Sequence, residues 1–334
     1  MGFPTQRMRR LRQNSGFRRL VRETTLAVED LLQPFFVVPG HGIREEIGPL
    51  PGNYHLSVDC LIEDVKKARD LGVPAILLFD VPESNEKDPL ASGAYSPHGV
   101  VQKAVRALKK EVPGILVATD VCLCQFTPHG DCGVRENGYL NNDRSLEILA
   151  KTAVSHAEAG SDMVAPAAML DGQVGALRQA LDSNGFYNLP IMAYSAKFAS
   201  KLYDPFRKDG TQSAKLPVDK KSHQMPIFNS DEALREIALD IEEGADIVMV
   251  KPALFYLDVV YRAKKQFQTP LAVYNVSGEY AMIDAAARLG RLDRNRIMFE
   301  ALACMKRAGA DVIITYAAMQ AAQCLNGKKL CIAA

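Results

Sequence analysis

Short apolar stretches alternate with longer amphipathic stretches along most of the chain. The short stretches are continuous and rich in Val, Ile and Leu, which is typical of parallel strands buried on both faces. They predict eight strands, at residues 34–38, 75–79, 115–119, 162–165, 190–194, 247–250, 271–276 and 312–316. The stretches between them repeat their apolar residues at helical spacing. They predict helices at residues 58–71, 99–111, 144–159, 172–184, 231–243, 257–267 and 295–308.

The order of these elements predicts a closed barrel. Gly160, Gly244 and Gly309 stand just before predicted strands, as expected where the C-cap of a helix leads into a strand. Eight strand–helix units without a Gly-x-Gly-x-x-Gly turn favour a (β/α)8 TIM barrel over a doubly wound sheet. We therefore predict an α/β protein with one barrel domain at residues 31–334 and an extended N-terminal arm at residues 1–30.

Two long polar segments, at residues 120–142 and 199–229, follow predicted strands and are rich in Gly, Pro and Lys. The loops that follow the strands of a TIM barrel lie on its catalytic face. Both segments are therefore candidates for the functional site. Either segment could also form a lid over that site.

Composition and charge exclude several classes of partner. The chain has 334 residues, of which 48% are hydrophobic and 24% charged, and its net charge is +1. This balance indicates neither a nucleic-acid nor a membrane partner, and no apolar run approaches the roughly 18–20 residues that span a bilayer. The N-terminus carries no apolar signal segment, so a cytoplasmic protein is expected. Residues 1–22 are rich in Arg and free of acidic residues, a composition that overlaps with mitochondrial transit segments and with nucleic-acid-binding tails.

Three of the seven cysteines, Cys122, Cys124 and Cys132, stand close together after the predicted strand at 115–119. Disulfide frameworks belong mainly to small secreted domains, so this cluster indicates a metal or redox site. Three thiolates suit Zn²⁺ and leave its fourth position for water or substrate, which is typical of a catalytic zinc site. His129 or Asp131 could close the site, and a set of coincidental free thiols is the alternative.

Two lysines follow neighbouring predicted strands, Lys197 after the fifth and Lys251 after the sixth. A lysine becomes nucleophilic toward a carbonyl when burial or an adjacent cation destabilises its ammonium form. Each lysine can supply that cation to the other, and Arg207 is near in sequence. A lysine that lies at the barrel rim or anchors a phosphate is the alternative for either residue alone.

Anion-binding groups follow the last two predicted strands. Ser277 and the amides after it could hold a carboxylate at a helix N-terminus. The phenol of Tyr316 could donate a hydrogen bond to the same anion. Either residue alone is more often a helix cap or a packed aromatic.

At these residues the sequence resembles the porphobilinogen synthase (5-aminolevulinate dehydratase) family. The resemblance covers nearly the whole chain, and its cysteine and lysine segments are highly specific. Its motifs are Arg9-Arg10-Leu11-Arg12, Glu23-Thr24-Thr25-Leu26, the segment 120–133, Met169 to Gln173, Lys197 to Ser200, Tyr203 to Arg207, Gly244 to Pro252, Tyr256 to Asp258, Val276 to Tyr280 and Lys306 to Asp311.

The resemblance implies a TIM barrel whose arm embraces a neighbouring subunit, usually in a homo-octamer, and 5-aminolevulinate as substrate. It implies that Lys251 forms a Schiff base with the substrate that becomes the propionate side of the product. Ser277 and Tyr316 would bind the carboxylate of that substrate. Lys197 would form the second Schiff base, on the acetate side.

The same resemblance implies that zinc is held by the three cysteines, with the catalytic Asp120 beside it. Arg207, Lys220 and Gln224 would bind the carboxylate on the acetate side, and residues 199–229 would be the lid. Tyr203 and Phe206, in the same motif as Arg207, are further substrate-binding candidates.

Some positions depart from the family pattern. Lys220 and His223 stand where Arg and Tyr are common, Pro226-Ile227 replaces an acid- or amide-Pro pair, and Ala167 stands where Ser is frequent. A lysine cannot reproduce the bidentate contact of a guanidinium with a carboxylate, so the acetate-side contacts are expected to differ.

Some members of the family bind an allosteric Mg²⁺ through a helix glutamate, and Glu236 matches that position. Two other classes of function remain at this point. A lysine-dependent aldolase of another kind would explain the barrel and one lysine. A basic-armed RNA-binding or scaffold protein would explain only the arm.

Overall fold

The computed structural model describes residues 2–83, 87–211 and 219–327. Its strands are β1 (Leu31–Val37), β2 (Arg44–Glu46), β3 (Tyr54–Leu56), β4 (Ala75–Asp80), β5 (Leu116–Val121), β6 (Val134–Glu136), β7 (Tyr139–Asn141), β8 (Met163–Pro166), β9 (Met192–Lys197), β10 (Ile247–Lys251), β11 (Leu271–Asn275) and β12 (Val312–Thr315). Its α-helices are α1 (Ser15–Leu20), α2 (Val58–Asp70), α3 (Val100–Glu111), α4 (Asn142–Ala159), α5 (Gln173–Ser183), α6 (Ser230–Glu242), α7 (Leu257–Phe267), α8 (Ser277–Arg288), α9 (Arg294–Ala308) and α10 (Ala318–Leu325).

Eight parallel strands form a barrel in the order β8-β5-β4-β1-β12-β11-β10-β9. A parallel bridge between Val164 and Ile191 joins the two ends of this order. Barrel strands that follow one another along the chain are connected through at least one helix, as the alternating pattern predicted. The predicted TIM barrel is therefore confirmed, and each predicted strand overlaps one of these eight.

The barrel strands are mostly apolar because both of their faces are covered, and charged residues such as Asp120, Lys197 and Lys251 lie at or near their C-terminal ends. Every residue of β1, β4, β8, β9 and β11 is buried. One face packs against the surrounding helices and the other fills the barrel. Phe79 of β4 and Tyr274 of β11 have ring centroids 6.4 Å apart although their strands are not neighbours. An aromatic layer therefore occupies the interior of the barrel.

Two hairpins are added to the barrel. Strand β3 pairs with the end of β1 and with β2, and β6 pairs with β7 inside the polar segment 120–142. Helix α10 follows β12 and was not among the predicted helices, because its sequence is short and almost entirely apolar or small.

The N-terminal segment differs from an extended chain. Residues 2–23 are exposed apart from Ser15, as expected of an arm. They contain a 3-10 helix at Met8–Arg12 and helix α1, which the Arg-rich pattern did not reveal. Within the described residues, no helix is both long and apolar enough to cross a membrane.

The predicted lid, residues 199–229, begins with a 3-10 helix at Lys201–Tyr203 and a π-helix at Phe206–Gly210. Residues 212–218 of the lid lie outside the described residues. The chain after them returns along the barrel mouth, where Met225 forms a parallel bridge with Phe198.

Candidate active site

Residues from both halves of the chain meet at the C-terminal ends of the barrel strands. They surround a cavity of about 400 Å³. Ten of its lining residues were predicted from the sequence. These are Cys124, Lys197, Tyr203, Phe206, Arg207, Lys220, Gln224, Lys251, Ser277 and Tyr316.

Lys251 lies at the centre of the aromatic layer. It is the last residue of β10 and only 5% exposed. Its Nζ is 4.1 Å from the ring centroid of Tyr274 and 4.7 Å from that of Tyr194. Burial and the neighbouring ammonium of Lys197 lower the pKa of Lys251 to about 7. A substantial fraction of Lys251 is thus a free amine near neutral pH, as a carbonyl nucleophile requires.

Lys197 ends β9 and is aligned directly with Lys251 in the sheet register. It is 7% exposed, and its Nζ donates a hydrogen bond to the backbone oxygen of Ala167. Its Nζ is also 5.5 Å from the ring centroid of Tyr194. Two buried amines on adjacent strand ends therefore face one cavity, which is the arrangement the sequence predicted.

The three clustered cysteines come together beside the lysines. Their sulfur atoms all lie within 4.8 Å of one another, and those of Cys122 and Cys124 are 3.4 Å apart. Zinc–sulfur bonds of about 2.3 Å in tetrahedral geometry place sulfur atoms roughly 3.8 Å apart, so the cluster fits such an ion. Within the described residues, no other group of three or more His, Cys, Asp or Glu side chains is arranged as a metal site.

The residues near this loop that could have supplied a fourth ligand are used elsewhere. Asp131 forms an ion pair with Arg135, with 2.6 Å between Arg135 Nη2 and Asp131 Oδ2. The Nδ1 atom of His129 accepts a hydrogen bond from the backbone N–H of Asp131. Neither side chain joins the sulfur cluster. The cluster therefore consists of three cysteine sulfurs without either of these side chains.

Lys220 contacts the same cluster from the lid. Its Nζ lies 3.3 Å from Sγ of Cys132, and the side chain is buried. Hydrogen bonds from Cys122 and Cys124 hold the pKa of Cys132 well below its usual value, and Lys220 lowers it further. Burial alone would lower the pKa of Lys220, but the cysteine sulfurs outweigh burial and raise it. The pKa values of Cys122 and Cys124 are raised by the neighbouring thiols and by burial, so Cys132 is the member of the cluster suited to carry negative charge.

Asp120 lies in β5 next to the lysines. Burial raises its pKa, while the charges of Lys251 and Lys197 act in the opposite direction. Its Oδ1 is buried and has no hydrogen-bond partner among the described residues. Its Oδ2 accepts a hydrogen bond of 3.3 Å from Nε2 of Gln125.

The predicted carboxylate-binding residues fall on two sides of the cavity. On one side Arg207 donates a hydrogen bond to Oε1 of Gln224, at 3.2 Å. On the other side the hydroxyls of Tyr274 and Tyr316 are 3.3 Å apart. Ser277 is occupied by the lid, since its hydroxyl accepts from the backbone N–H of Phe206 and donates to the backbone oxygen of Leu202.

Gly278 permits this close approach of the lid to α8. A Cβ atom at this position would lie 2.6 Å from both Cα and O of Leu202. Contacts under about 3 Å with backbone atoms force a shift of the chain, so a larger residue would push the lid away from Ser277.

Glu236 is separate from this cavity. It lies on α6 and lines another cavity, of about 1010 Å³, together with Asp171, Glu232 and His223. Burial, and then the acidic neighbours Asp171 and Glu232, raise its pKa. Such a raised pKa indicates a carboxylate that would be stabilised by a cation.

Tyr194, Tyr274 and Gln125 contribute to the site although the sequence did not single them out. The two tyrosines are phenols within strands that are otherwise apolar, and this was the available signal. Gln125 directly follows Cys124, but nothing in its spacing indicated that it would contact both Cys124 and Asp120.

Fold and site together define an enzyme built on a TIM barrel, with two buried amines and a thiol cluster at its catalytic face. Comparison with known proteins identifies the family. The sequence model described as delta-aminolevulinic acid dehydratase matches residues 5–324. The chain belongs to this family and is accordingly a lyase.

Individual relatives agree with this assignment. The delta-aminolevulinic acid dehydratase of Synechocystis is 52% identical over 328 residues, which are 97% of this chain and 99% of the relative. That of Bacillus subtilis is 46% identical over 319 residues, or 96% and 98% of the two chains.

A solved structure is also similar. It is the delta-aminolevulinic acid dehydratase (porphobilinogen synthase) of Toxoplasma gondii in complex with the reaction product porphobilinogen. Its TM-score to this chain is 0.94 at 39% sequence identity, and the match covers 97% of this chain and 93% of that one.

Proposed function

We propose that the protein condenses two molecules of 5-aminolevulinate to porphobilinogen with loss of two waters, an early step of tetrapyrrole (haem) biosynthesis. The observation that carries the proposal is the pair of buried amines, Lys197 and Lys251, aligned on adjacent strands beside three clustered thiols. The similar structure that holds porphobilinogen supports the same reaction.

Lys251 is proposed to act first. Its free amine attacks the ketone carbon of one substrate, and the carbonyl oxygen leaves as water to give an imine. The pKa of about 7 makes this amine available near neutrality. Ser277 and Tyr316, together with the unpredicted Tyr274, would bind the carboxylate of this substrate. The lid segment on Ser277 would then have to release its hydroxyl.

Lys197 is proposed to form the second imine, on the substrate that becomes the acetate side. An imine withdraws electrons and so acidifies the adjacent carbon, which can then form the C–C bond. Arg207, Lys220 and Gln224 would bind the carboxylate of this substrate. Phe206 and Tyr203 line the cavity and would exclude water from the imines.

Zinc is proposed to bind to Cys122, Cys124 and Cys132. When bound, it would act as a Lewis acid toward the substrate at the acetate side. Three thiolates with Zn²⁺ leave one net negative charge, and the ammonium of Lys220 lies 3.3 Å from Cys132 to offset it. Asp120 is joined to Cys124 through Gln125 and is near enough to Lys251 and Lys197 for their charges to lower its pKa, so its carboxylate could move a proton in this site.

A lysine-dependent aldolase of another kind remains the second candidate on the geometry alone. It would use one buried lysine. It gives no role to the second amine or to the thiol cluster, and both line or adjoin the same cavity. The condensing reaction uses all of them.

Self-association, with a homo-octamer as the expected form, is part of the proposal. It is supported by the large exposed apolar side chains of the arm, among them Phe3, Met8 and Leu20. Light scattering would test this by comparing the mass of the assembly formed by the full chain with that formed by a chain lacking residues 2–22. If the number of subunits is the same for both chains, the arm does not hold the subunits together.

An allosteric Mg²⁺ at Glu236 is also proposed. The support is the acidic surroundings of Glu236 in a cavity that adjoins the lid. Stimulation of activity by Mg²⁺ that is lost in Glu236→Gln would agree with it, and equal stimulation of both proteins would exclude it.

The proposed reaction is tested by incubating the purified protein with 5-aminolevulinate. Porphobilinogen should form when zinc is supplied, disappear when zinc is chelated and return when zinc is restored. If product still forms after verified zinc removal, the proposed reaction stands, but zinc is not essential for it. No product from folded, zinc-loaded protein would exclude the reaction itself.

The rate of imine formation at Lys251 is expected to rise with pH through about 7 and then to level off. Only the neutral amine attacks a ketone, and its fraction grows about tenfold per pH unit below the pKa of about 7. The measurement is borohydride trapping of the substrate on Lys251, followed by mass spectrometry over a pH series.

A Lys197→Met variant provides the matched comparison. Burial and then the ammonium of Lys197 lower the pKa of Lys251, so removing that charge should move the midpoint to higher pH. A midpoint that stays in place would show that Lys197 does not act on Lys251.

A further inference from the structure

Gln125 connects two groups of the site without lining its cavity. It is 2% exposed and directly follows Cys124. Its Oε1 lies 3.2 Å from Sγ of Cys124, which donates to it, and its Nε2 donates to Oδ2 of Asp120 at 3.3 Å. We propose that Gln125 is a positioning residue that fixes the carboxylate of Asp120 relative to the metal-binding sulfur of Cys124. This inference rests on the proposed function.

A side-chain amide suits this position because it has a donor at one end and an acceptor at the other. Oδ2 of Asp120 is held by Gln125, while Oδ1 is buried and has no partner at hydrogen-bonding distance among the described residues, although the phenol of Tyr194 is close to the carboxylate. A buried oxygen without a partner is costly unless a ligand meets it. Gln125 therefore leaves Oδ1 as the oxygen of Asp120 that is available to the substrate.

The other end of the amide contacts the metal-binding cluster. Cys124 lines the cavity, so the contact joins a proposed metal ligand to a proposed proton carrier. Partners of this kind orient metal ligands, and their removal typically costs about 10–100-fold in metal affinity or activity.

The test compares Gln125→Met and Gln125→Glu with the wild-type protein. Methionine keeps the length and removes both hydrogen bonds. Glutamate keeps the shape and an acceptor for Cys124, but it replaces the donor to Asp120 with a second acceptor. We expect kcat for porphobilinogen formation to fall about 10–100-fold in both variants, with KM changing less than about threefold. Replacing zinc with Co²⁺ gives a second measurement, because its absorption bands report the thiolate geometry, and these bands should shift in both variants.

Gln102→Met is the matched control for the loss of a buried amide. Gln102 is 1% exposed and donates to Ala94 and Ser155, neither of which belongs to the sulfur cluster. The Gln102→Met substitution should lower the melting temperature without changing the Co²⁺ spectrum or kcat. A Gln125→Met protein that keeps both the wild-type spectrum and the wild-type kcat would overturn the proposal, and so would equal effects of Gln125→Met and Gln102→Met on the spectrum and on kcat.

Failure of the proposed function is recognised separately. Wild-type protein that binds Co²⁺ but makes no porphobilinogen would exclude the reaction. The positioning role would then be judged from the spectrum alone, where an unchanged Gln125→Met spectrum overturns it and a shifted one supports it.

Discussion

Replacing Lys251 with methionine is expected to abolish porphobilinogen formation, with a loss of roughly 10⁴-fold or more in kcat, as is usual when a covalent nucleophile is removed. The amine of Lys251 lies 4.1 Å from the centroid of the Tyr274 ring, and methionine places no nucleophile there. Lys197 is aligned with it, but its Nζ is engaged by the backbone oxygen of Ala167. Kinetics and borohydride trapping with 5-aminolevulinate provide the measurement.

The substitution should not harm the fold. Burial lowers the pKa of Lys251 to about 7 in the folded chain, below the value near 10.5 of an unfolded lysine. The unfolded state therefore binds more protons between pH 7 and 10.5, and the native protein loses stability as the pH falls through this range. Methionine has no such penalty, so the melting temperature at neutral pH should stay equal or rise.

Two further variants distinguish the covalent role of Lys251 from the effect of its positive charge and from a nonspecific effect of replacing a lysine. Lys251→Arg keeps a positive charge but cannot form an imine, and it is expected to be as inactive as the methionine variant. Lys103→Met removes an exposed lysine on α3 and should retain full activity. Activity of Lys251→Met within about tenfold of the wild type would contradict the proposed mechanism.

The sequence predicted the barrel and the amines because both depend on position along a strand. Lys197 and Lys251 each end a continuous apolar stretch, and parallel strands bring their carboxyl ends to one face. That argument needs only the order of residues and the fold class. It also located Ser277 and Tyr316, which follow β11 and β12.

Contacts between distant loops could not be predicted in this way. Lys220 was expected at a substrate carboxylate because of its family position, and the structure adds a contact with Cys132 that depends on how the lid returns over the barrel. Ser277 was expected to be free for a carboxylate, yet the backbone of Leu202 and Phe206 occupies its hydroxyl. Both contacts join segments more than 70 residues apart, for which local patterns carry no information.

Replacing Cys122, Cys124 and Cys132 together with alanine is expected to remove zinc and to lower activity by at least about 10²-fold. The three sulfurs lie within 4.8 Å of one another. Among the described residues, they are the one group of His, Cys, Asp or Glu side chains that is arranged to hold a metal. Lys220 would then face a pocket without its negative charge, so a buried ammonium would lose its partner. A lower melting temperature should accompany the loss of zinc.

Zinc content per chain, measured by atomic absorption after dialysis, gives the first comparison, and porphobilinogen formation gives the second. Cys60→Ala is the matched control, since Cys60 is a half-buried free cysteine on the outer helix α2. It should keep the zinc content and activity of the wild type. If the triple variant also keeps both, the cluster is not the metal site. If it loses zinc but keeps activity, the metal is structural and the two lysines carry the reaction without it.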